Sequence, residues 1–312
     1  SGLKEVVVGA IDPNPRVEGL GASFLREKNL RVRVGLMAEE VMEQNEIYWK
    51  YTRTNRPFVL LKIAASLNGR IESPADDRWI TGDQARTVVH QLRNDYDAVL
   101  TGVGTVEADD PRLDCRMPGV TNDPVRIVLD SRGRTPLSSQ LVRNARKVRT
   151  VVVATGAGAA AASTLHRHGV ELVVLPERDG KVDLEAFLDW AGENDISSLL
   201  VEAGARVNGS FVEQGLADKI LFFIAPRFLD DSFSGAVAPG VRSDGFTITS
   251  VEGVGSDLAV ILAPTPSRVI GGQPAGTDSP AQGHECREGS PSRDSVAAAA
   301  LRCSEVGACL PD

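Results

Sequence analysis

From residue 57 to about 263 the chain alternates apolar runs with helical segments, and this alternation limits the fold more than any single motif. The runs read FVLLKIAAS, AVLT, VRIVL, TVVVA, ELVVL, SLLV and KILFFI. Several are near-continuous and β-branched or leucine-rich, the pattern of strands buried on both faces. Between them lie segments such as 82–94, where Ala85, Val88, Val89 and Leu92 form a helical stripe. Thr81 and Gln84 make a capping box in front of it. Strand and helix in repeated succession predict an α/β fold whose mostly parallel sheet is covered by helices.

The flanks differ. Residues 1–50 carry a shorter version of the same grammar: strand EVVVGAI, a helix near 15–28, strand LRVRVG and a helix over 37–50. Two strands and two helices offer too little core to fold alone. The polar stretch 51–57, YTRTNRP, reads as a linker, and the length of 312 residues favours two domains. Beyond 265 the composition turns to Gly, Pro, Ser and Ala, which predicts a disordered tail over 266–312. The start has neither a methionine nor the layout of a signal peptide and runs almost at once into a strand, which suggests a fragment or a trimmed chain.

A net charge of −8 argues against general binding to nucleic acid or to a membrane surface. A phosphate on a ligand must then be held by local arginines and backbone N–H groups. No apolar run reaches the roughly 18 residues that a membrane span needs. Cys115, Cys286, Cys303 and Cys309 form no C-x-x-C, and with His284 they match no common zinc spacing. Unpaired thiols in a reducing cytoplasm are the expectation, with no metal.

Three segments carry chemistry. TGVGTVEADDPRLDCR, 101–116, starts like a dinucleotide turn after a strand, yet it lacks the third glycine and no clear helix start follows. In VEAGARVNGSF, 201–211, a strand runs into a glycine-rich helix start, expected to end at Gly215. Such a start offers free N–H groups to a phosphate, or merely packs closely; the absent lysine rules out a P-loop. In IVLDSRGRTP a buried strand ends in Asp130 and Ser131, then Arg132 and Arg134; serine with arginines suits a 2′-phosphate, hence NADP over NAD. If Arg86, Arg93, Arg112 and Arg116 converge, they could grip an anion. His166 and His168 read as exposed cations, and no Ser/His/Asp or H-E-x-x-H pattern appears.

Together RPFVLLKIAASLNGRI, DRWITG, LRNDYDAVLTGVGTVEADDPRLDCR, PVRIVLDS and LLVEAGARVNGSF resemble, in order and spacing, the reductase domain of the bifunctional riboflavin-biosynthesis deaminase/reductase. DPNPRVEGLG resembles the last part of that enzyme's deaminase domain. The resemblance implies a dihydrofolate-reductase-like domain over 58–265, after a partial cytidine-deaminase-like segment over 1–50. It implies NADPH-dependent reduction of 5-amino-6-(5-phosphoribosylamino)uracil to the ribitylamino product, in a cytoplasmic homodimer. Ala64, Trp79, Thr105 and Asp109 would line the cofactor site. Ser131 and the turn Gly204, Ala205, Arg206, Val207, Asn208, Gly209, Ser210 would hold its phosphates. Asp77, Arg93, Leu113, Arg116 and Glu202 would face the substrate, with Asp109 or Glu202 relaying a proton if burial raises its pKa.

Two departures stand out. Asp77 replaces the family's usual serine, and an aspartate there would repel a substrate phosphate; Asn68 replaces a commoner aspartate and keeps its shape. The His-x-Glu and Pro-Cys-x-x-Cys elements of a deaminase zinc site do not occur, and HEC at 284–286 has the wrong order, so no deamination is expected. Other readings are a paralogue reducing another small substrate, such as a pterin, and a non-catalytic remnant.

Overall fold

The computed structural model describes residues 2–74, 77, 79–117, 123–241 and 245–265. The expected tail, with His284, Cys286, Cys303 and Cys309, lies outside them. In chain order the elements begin with β1 (Glu5–Val8), α1 (Leu20–Glu27), β2 (Arg31–Val34), α2 (Ala38–Gln44) and α3 (Glu46–Thr54). Then follow β3 (Phe58–Ser66), α4 (Asp83–Asp95), β4 (Ala98–Gly102), α5 (Val103–Asp109), β5 (Val125–Leu129), α6 (Gln140–Arg143), β6 (Thr150–Ala154) and α7 (Gly156–Ala162). After a 3₁₀ turn over Ser163–His168 come β7 (Glu171–Val174), β8 (Glu177–Arg178), β9 (Lys181–Val182), α8 (Leu184–Glu193), β10 (Ser198–Val201), α9 (Ala205–Glu213), β11 (Lys219–Ala225), β12 (Phe246–Val254) and β13 (Asp257–Pro264).

The seven expected runs are all strands of one sheet, in the order β12-β13-β11-β3-β10-β4-β5-β6-β7. From β11 to β7 every pairing is parallel, and β12 and β13 join antiparallel at one edge. Both faces are covered, because alternate residues of one strand go to opposite sides. Phe58 and Leu60 of β3 join a core with Val88 and Leu92 of α4; Val59 and Leu61 join another with Phe187 of α8 and Phe211 of α9.

The N-terminal region departs from expectation. The helix expected over 37–50 breaks at Asn45, and its second part, α3, runs to Thr54 through most of the expected linker. Ion pairs tie α3 to the large sheet: Lys50 to Asp218, whose Oδ2 also accepts the Val59 N–H at 2.7 Å, and Glu46 to Lys219 at 2.6 Å. The Tyr51 hydroxyl donates to the Gly192 carbonyl at 3.0 Å, and a Cβ at Gly192 would lie 1.7 Å from the Asn55 carbonyl oxygen. Gly192→Ala should therefore cost about 1–3 kcal/mol through forced separation of α3 from α8, read as a lower melting temperature. An unchanged melting temperature would mean that α3 does not dock there in solution.

The capping box is also corrected. Gly82, not Thr81, caps α4, without a side-chain bond, and its N–H instead donates to Asp257 Oδ2 at 2.7 Å. Among the described residues no helix is long and apolar enough to cross a membrane.

Candidate active site

In a parallel sheet all strands end on one side, and that edge is where loops and helix starts meet. Here β3, β4, β5 and β10 end around a cavity of about 890 Å³. Its walls include Lys62 and Ala64 of β3, Gly104, Thr105 and Asp109 of α5, Ser131 after β5, and Glu202 to Val207 with Ser210 after β10.

The unfinished glycine motif resolves here. A short helix, α5, does follow β4, although no sequence pattern announced it. A Cβ at Gly102 would lie 2.9 Å from Val207 Cγ2, so this glycine lets α9 pack over the end of β4. A Cβ at Gly104 would meet nothing within 4 Å, so that glycine turns bare backbone to the open cavity. Gly204, extended, begins α9 without a side-chain cap; the Val207 N–H turns back to the Gly204 carbonyl at 3.1 Å, which leaves the Ala205 and Arg206 N–H groups at the cavity wall. These features fit a dinucleotide: uncapped amides for a pyrophosphate, and space that a side chain would fill.

Part of the Gly204–Ser210 turn does otherwise. Asn208 is buried and donates to the carbonyls of Ala203 at 3.0 Å and Ala236 at 3.1 Å. Gly209 packs against Ala238 and Val241. A helix rotates successive residues by about 100°, so one turn cannot present all its side chains to a single ligand. Asp130 likewise folds the turn after β5: its Oδ2 accepts from the Thr135 N–H and hydroxyl, each at 2.7 Å.

At the cavity floor stands an ionic triad. Glu202 receives Arg93 Nε at 2.6 Å on Oε1 and Nη2 at 3.0 Å on Oε2 in a fork, and Lys62 Nζ lies 3.6 Å from Oε2. Burial alone would raise the Glu202 pKa, but Arg93 and Lys62 outweigh it and hold the carboxyl down at about 2. Glu202 is thus ionised, and the expectation of a burial-raised proton donor there is overturned. Arg93 is committed to Glu202 and to the Asp114 carbonyl at 3.2 Å, so it orients the carboxylate from behind and does not line the cavity.

Lys62 was not singled out from the sequence, although one cation within FVLLKIAAS was the available signal. Burial pushes its ammonium below the usual lysine range; Glu202 opposes that and Arg93 adds to it.

Beside the triad, Asp114 lies between Arg112 Nε at 2.8 Å and Arg116 Nε at 3.4 Å. Both guanidiniums are half exposed, and two cations on one carboxylate leave positive charge to spare. Arg93, Arg112 and Arg116 therefore converge around Asp114, although, like Arg93, neither Arg112 nor Arg116 lines the cavity; Arg86 lies apart, pairing with Asp83 and lying 4.7 Å over the Trp79 ring. The Arg116 N–H donates to Nδ1 of the buried His90 at 3.2 Å. Burial, Arg93 and Arg116 push that histidine down to about 4, so the ring is a neutral acceptor that fixes the loop. Leu113 does not face the cavity; its side chain is core, at a left-handed φ of 51°. Arg126, unexpectedly buried in β5, donates to the Arg112 carbonyl at 3.4 Å and to Thr150 Oγ1 at 2.7 Å, a structural role.

Trp79 lines a separate, shallower concavity with Arg86 and Arg227. Asp77 pairs with Arg227, so the feared repulsion is answered by a neighbouring cation. Asn68 bridges its own turn to the Leu229 backbone, which any carboxamide of that shape can do. Among the described residues no group of three or more His, Cys, Asp or Glu side chains is placed to hold a metal ion.

The family model described as the RibD C-terminal domain matches residues 57–260. The chain belongs to that family. The riboflavin biosynthesis protein RibD of Actinobacillus pleuropneumoniae is 41% identical over 229 residues, covering 73% of this chain and 61% of that protein. The chain thus spans less than two thirds of this RibD relative. Among solved structures, Acinetobacter baumannii RibD superposes with a TM-score of 0.71 at 30% identity, covering 84% of this chain and 73% of that one. A Thermotoga maritima protein, named a diaminohydroxyphosphoribosylaminopyrimidine deaminase/5-amino-6-(5-phosphoribosylamino)uracil reductase, gives 0.70 at 32% identity, covering 85% and 72%. The fold is the mostly parallel α/β architecture that the strand pattern implies, and it is dihydrofolate-reductase-like, as the resemblance implies.

Proposed function

We propose that the chain reduces 5-amino-6-(5-phosphoribosylamino)uracil to its ribitylamino product with NADPH, as a cytoplasmic homodimer. The carrying observation is one cavity that joins the uncapped start of α9 to Lys62 and Glu202, the latter held by Arg93 from outside the lining. When bound, NADPH would supply the hydride for C1′, and the chain's part would be to give a proton to the sugar oxygen released as the ring opens.

The chain's own groups divide the remaining work. The first-turn amides of α9, with Gly104 and Thr105, hold the pyrophosphate. Arg112 and Arg116 take the sugar phosphate, which favours this substrate over an unphosphorylated pterin. Lys62 gives its proton to the sugar oxygen, and its lowered pKa eases that transfer. Glu202, held ionised, keeps the ammonium in place. Asp109 lines the cofactor wall at the end of α5.

Ala205→Pro tests the cofactor site. Proline is tolerated at the first helical position, and the extended Gly204 before it suits a proline, so the variant should fold normally. It lacks one amide donor, and NADPH should bind about tenfold more weakly by calorimetry. Unaltered affinity would move the pyrophosphate away from α9.

A further inference from the structure

The loop after α5, residues 110–116, is pinned along its length by three other elements. Asp110 Oδ1 accepts the Gln140 N–H of α6 at 2.7 Å, and the Asp110 carbonyl accepts Gln140 Nε2 at 2.7 Å. Arg126 of β5 donates to the Arg112 carbonyl at 3.4 Å, and Arg93 of α4 to the Asp114 carbonyl at 3.2 Å. The Cys115 N–H donates to Asp123 Oδ1 at 2.9 Å, and the Arg116 N–H to His90 Nδ1 of α4 at 3.2 Å. Arg93 also bonds Glu202, so the loop stands one guanidinium away from the cavity floor. Its backbone is fixed before any ligand arrives.

The side chains of this loop sort by side. Leu113 enters the core and the Cys115 thiol donates to the His90 carbonyl at 3.3 Å, while Arg112, Asp114 and Arg116 meet one another. The Asp114 side chain is 12% exposed and each arginine side chain 51%, so the carboxylate sits inside and the cations outside. Both guanidiniums approach it through Nε, at 2.8 Å from Oδ2 for Arg112 and 3.4 Å from Oδ1 for Arg116. Nε is the inner nitrogen of the head, and the Nη groups are left as the outer ends. Asp114 Oδ1 is buried and makes no hydrogen bond among the described residues. Such an oxygen costs free energy, which a residue with no task beyond folding has no reason to bear.

We propose that Asp114 is a positioning residue for the sugar phosphate: it holds the Arg112 and Arg116 heads by their inner nitrogens and aims their Nη groups outward. The role rests on the reading above that these two arginines take the phosphate, and adds to it what orients them. A loose arginine has many rotamers, and a ligand that binds it must order it at a cost in entropy. Heads already held remove that cost, and an aimed guanidinium meets a phosphate with paired N–H bonds. The carboxylate's own charge works the other way, since it repels a phosphate. Orientation outweighs repulsion because Asp114 lies behind both cations, and the three groups together keep a net positive charge. The two effects have opposite signs on substrate binding, so experiment can tell them apart.

Steady-state kinetics with 5-amino-6-(5-phosphoribosylamino)uracil test it on the wild-type chain, Asp114→Ala, Asp114→Asn, Arg112→Ala and Arg116→Ala. NADPH affinity by calorimetry and the melting temperature are measured beside them. Asp114→Ala should raise KM about tenfold and change kcat by less than about twofold, because the phosphate is bound alike in ground and transition states. Asp114→Asn, whose carbonyl oxygen can still accept from one Nε, should raise KM less. NADPH affinity should hold, and the melting temperature should move little, since half-exposed ion pairs add little stability. A KM that falls in Asp114→Ala overturns the proposal, because repulsion alone predicts a fall. An unchanged KM, or a joint loss of kcat, NADPH affinity and melting temperature, overturns it as well. If Arg112→Ala or Arg116→Ala raises KM and Asp114→Ala does not, the positioning role falls and the phosphate reading stands. If neither arginine variant alters KM, both fall. A wild-type chain that does not oxidise NADPH with this substrate removes the reductase reading and the proposal together.

Discussion

Lys62→Met should lower kcat by about 10²–10⁴ while NADPH binding stays intact, because it removes the proton donor and little else. Methionine keeps an unbranched apolar stem, so the strand between two covered faces of the sheet is still filled. Glu202 keeps its forked bond to Arg93, so the site stays ordered. The loss should fall on kcat, since a transferred proton acts only in the transition state. Lys62→Arg, which keeps charge but gives up its proton far less readily, should not rescue the rate. Rescue by arginine would mean that Lys62 acts by charge alone.

The second large effect concerns the carboxylate itself. Glu202→Ala should destabilise the protein by about 3–5 kcal/mol, because it leaves Arg93 and Lys62 side by side in the interior without a counter-charge. For a chain of this size that is on the order of 10 °C in melting temperature. Glu202→Gln separates charge from shape. The folded carboxyl titrates near 2, below its ordinary 4.5, so its contribution is fully present above about 4.5 and is lost as pH falls towards 2. The stability gap between wild type and Glu202→Gln should therefore be constant at neutral pH and shrink across that window. A gap that does not depend on pH would deny Glu202 its ionised role.

Much of this fold was legible because burial on both faces imposes continuous apolar runs on the parallel strands. The elements that escaped notice are those under weaker demands. Strands β12 and β13 lie at the sheet edge, and β12 is largely exposed, so its sequence FTITSVEGV carries no buried run. Helix α5 has seven residues, too few for a stripe to repeat. The capping box gave way because the Gly82 N–H found Asp257, 175 residues later, a partner that no local pattern reveals.

The site was legible by residue type more than by role. Arginine spacing pointed to an anion grip; Arg112 and Arg116 share Asp114 beside the triad, outside the cavity lining. Arg93 proved to be spent on Glu202, 109 residues away, a pairing decided by the insertion of β10 between β3 and β4. The same insertion brings Lys62 to Glu202, so its meaning emerges only with the strand order. Leu113 lay in the right loop, but its left-handed backbone turns the side chain into the core.

The central claim is hydride transfer to the sugar carbon. Its most direct test incubates the purified chain with 5-amino-6-(5-phosphoribosylamino)uracil and NADPH deuterated at the nicotinamide C4, and locates the label by mass spectrometry and NMR. The account predicts one deuterium at C1′ of a ribitylamino product for each NADPH oxidised. NADPH that binds but is not oxidised, or a label found elsewhere than C1′, would contradict it.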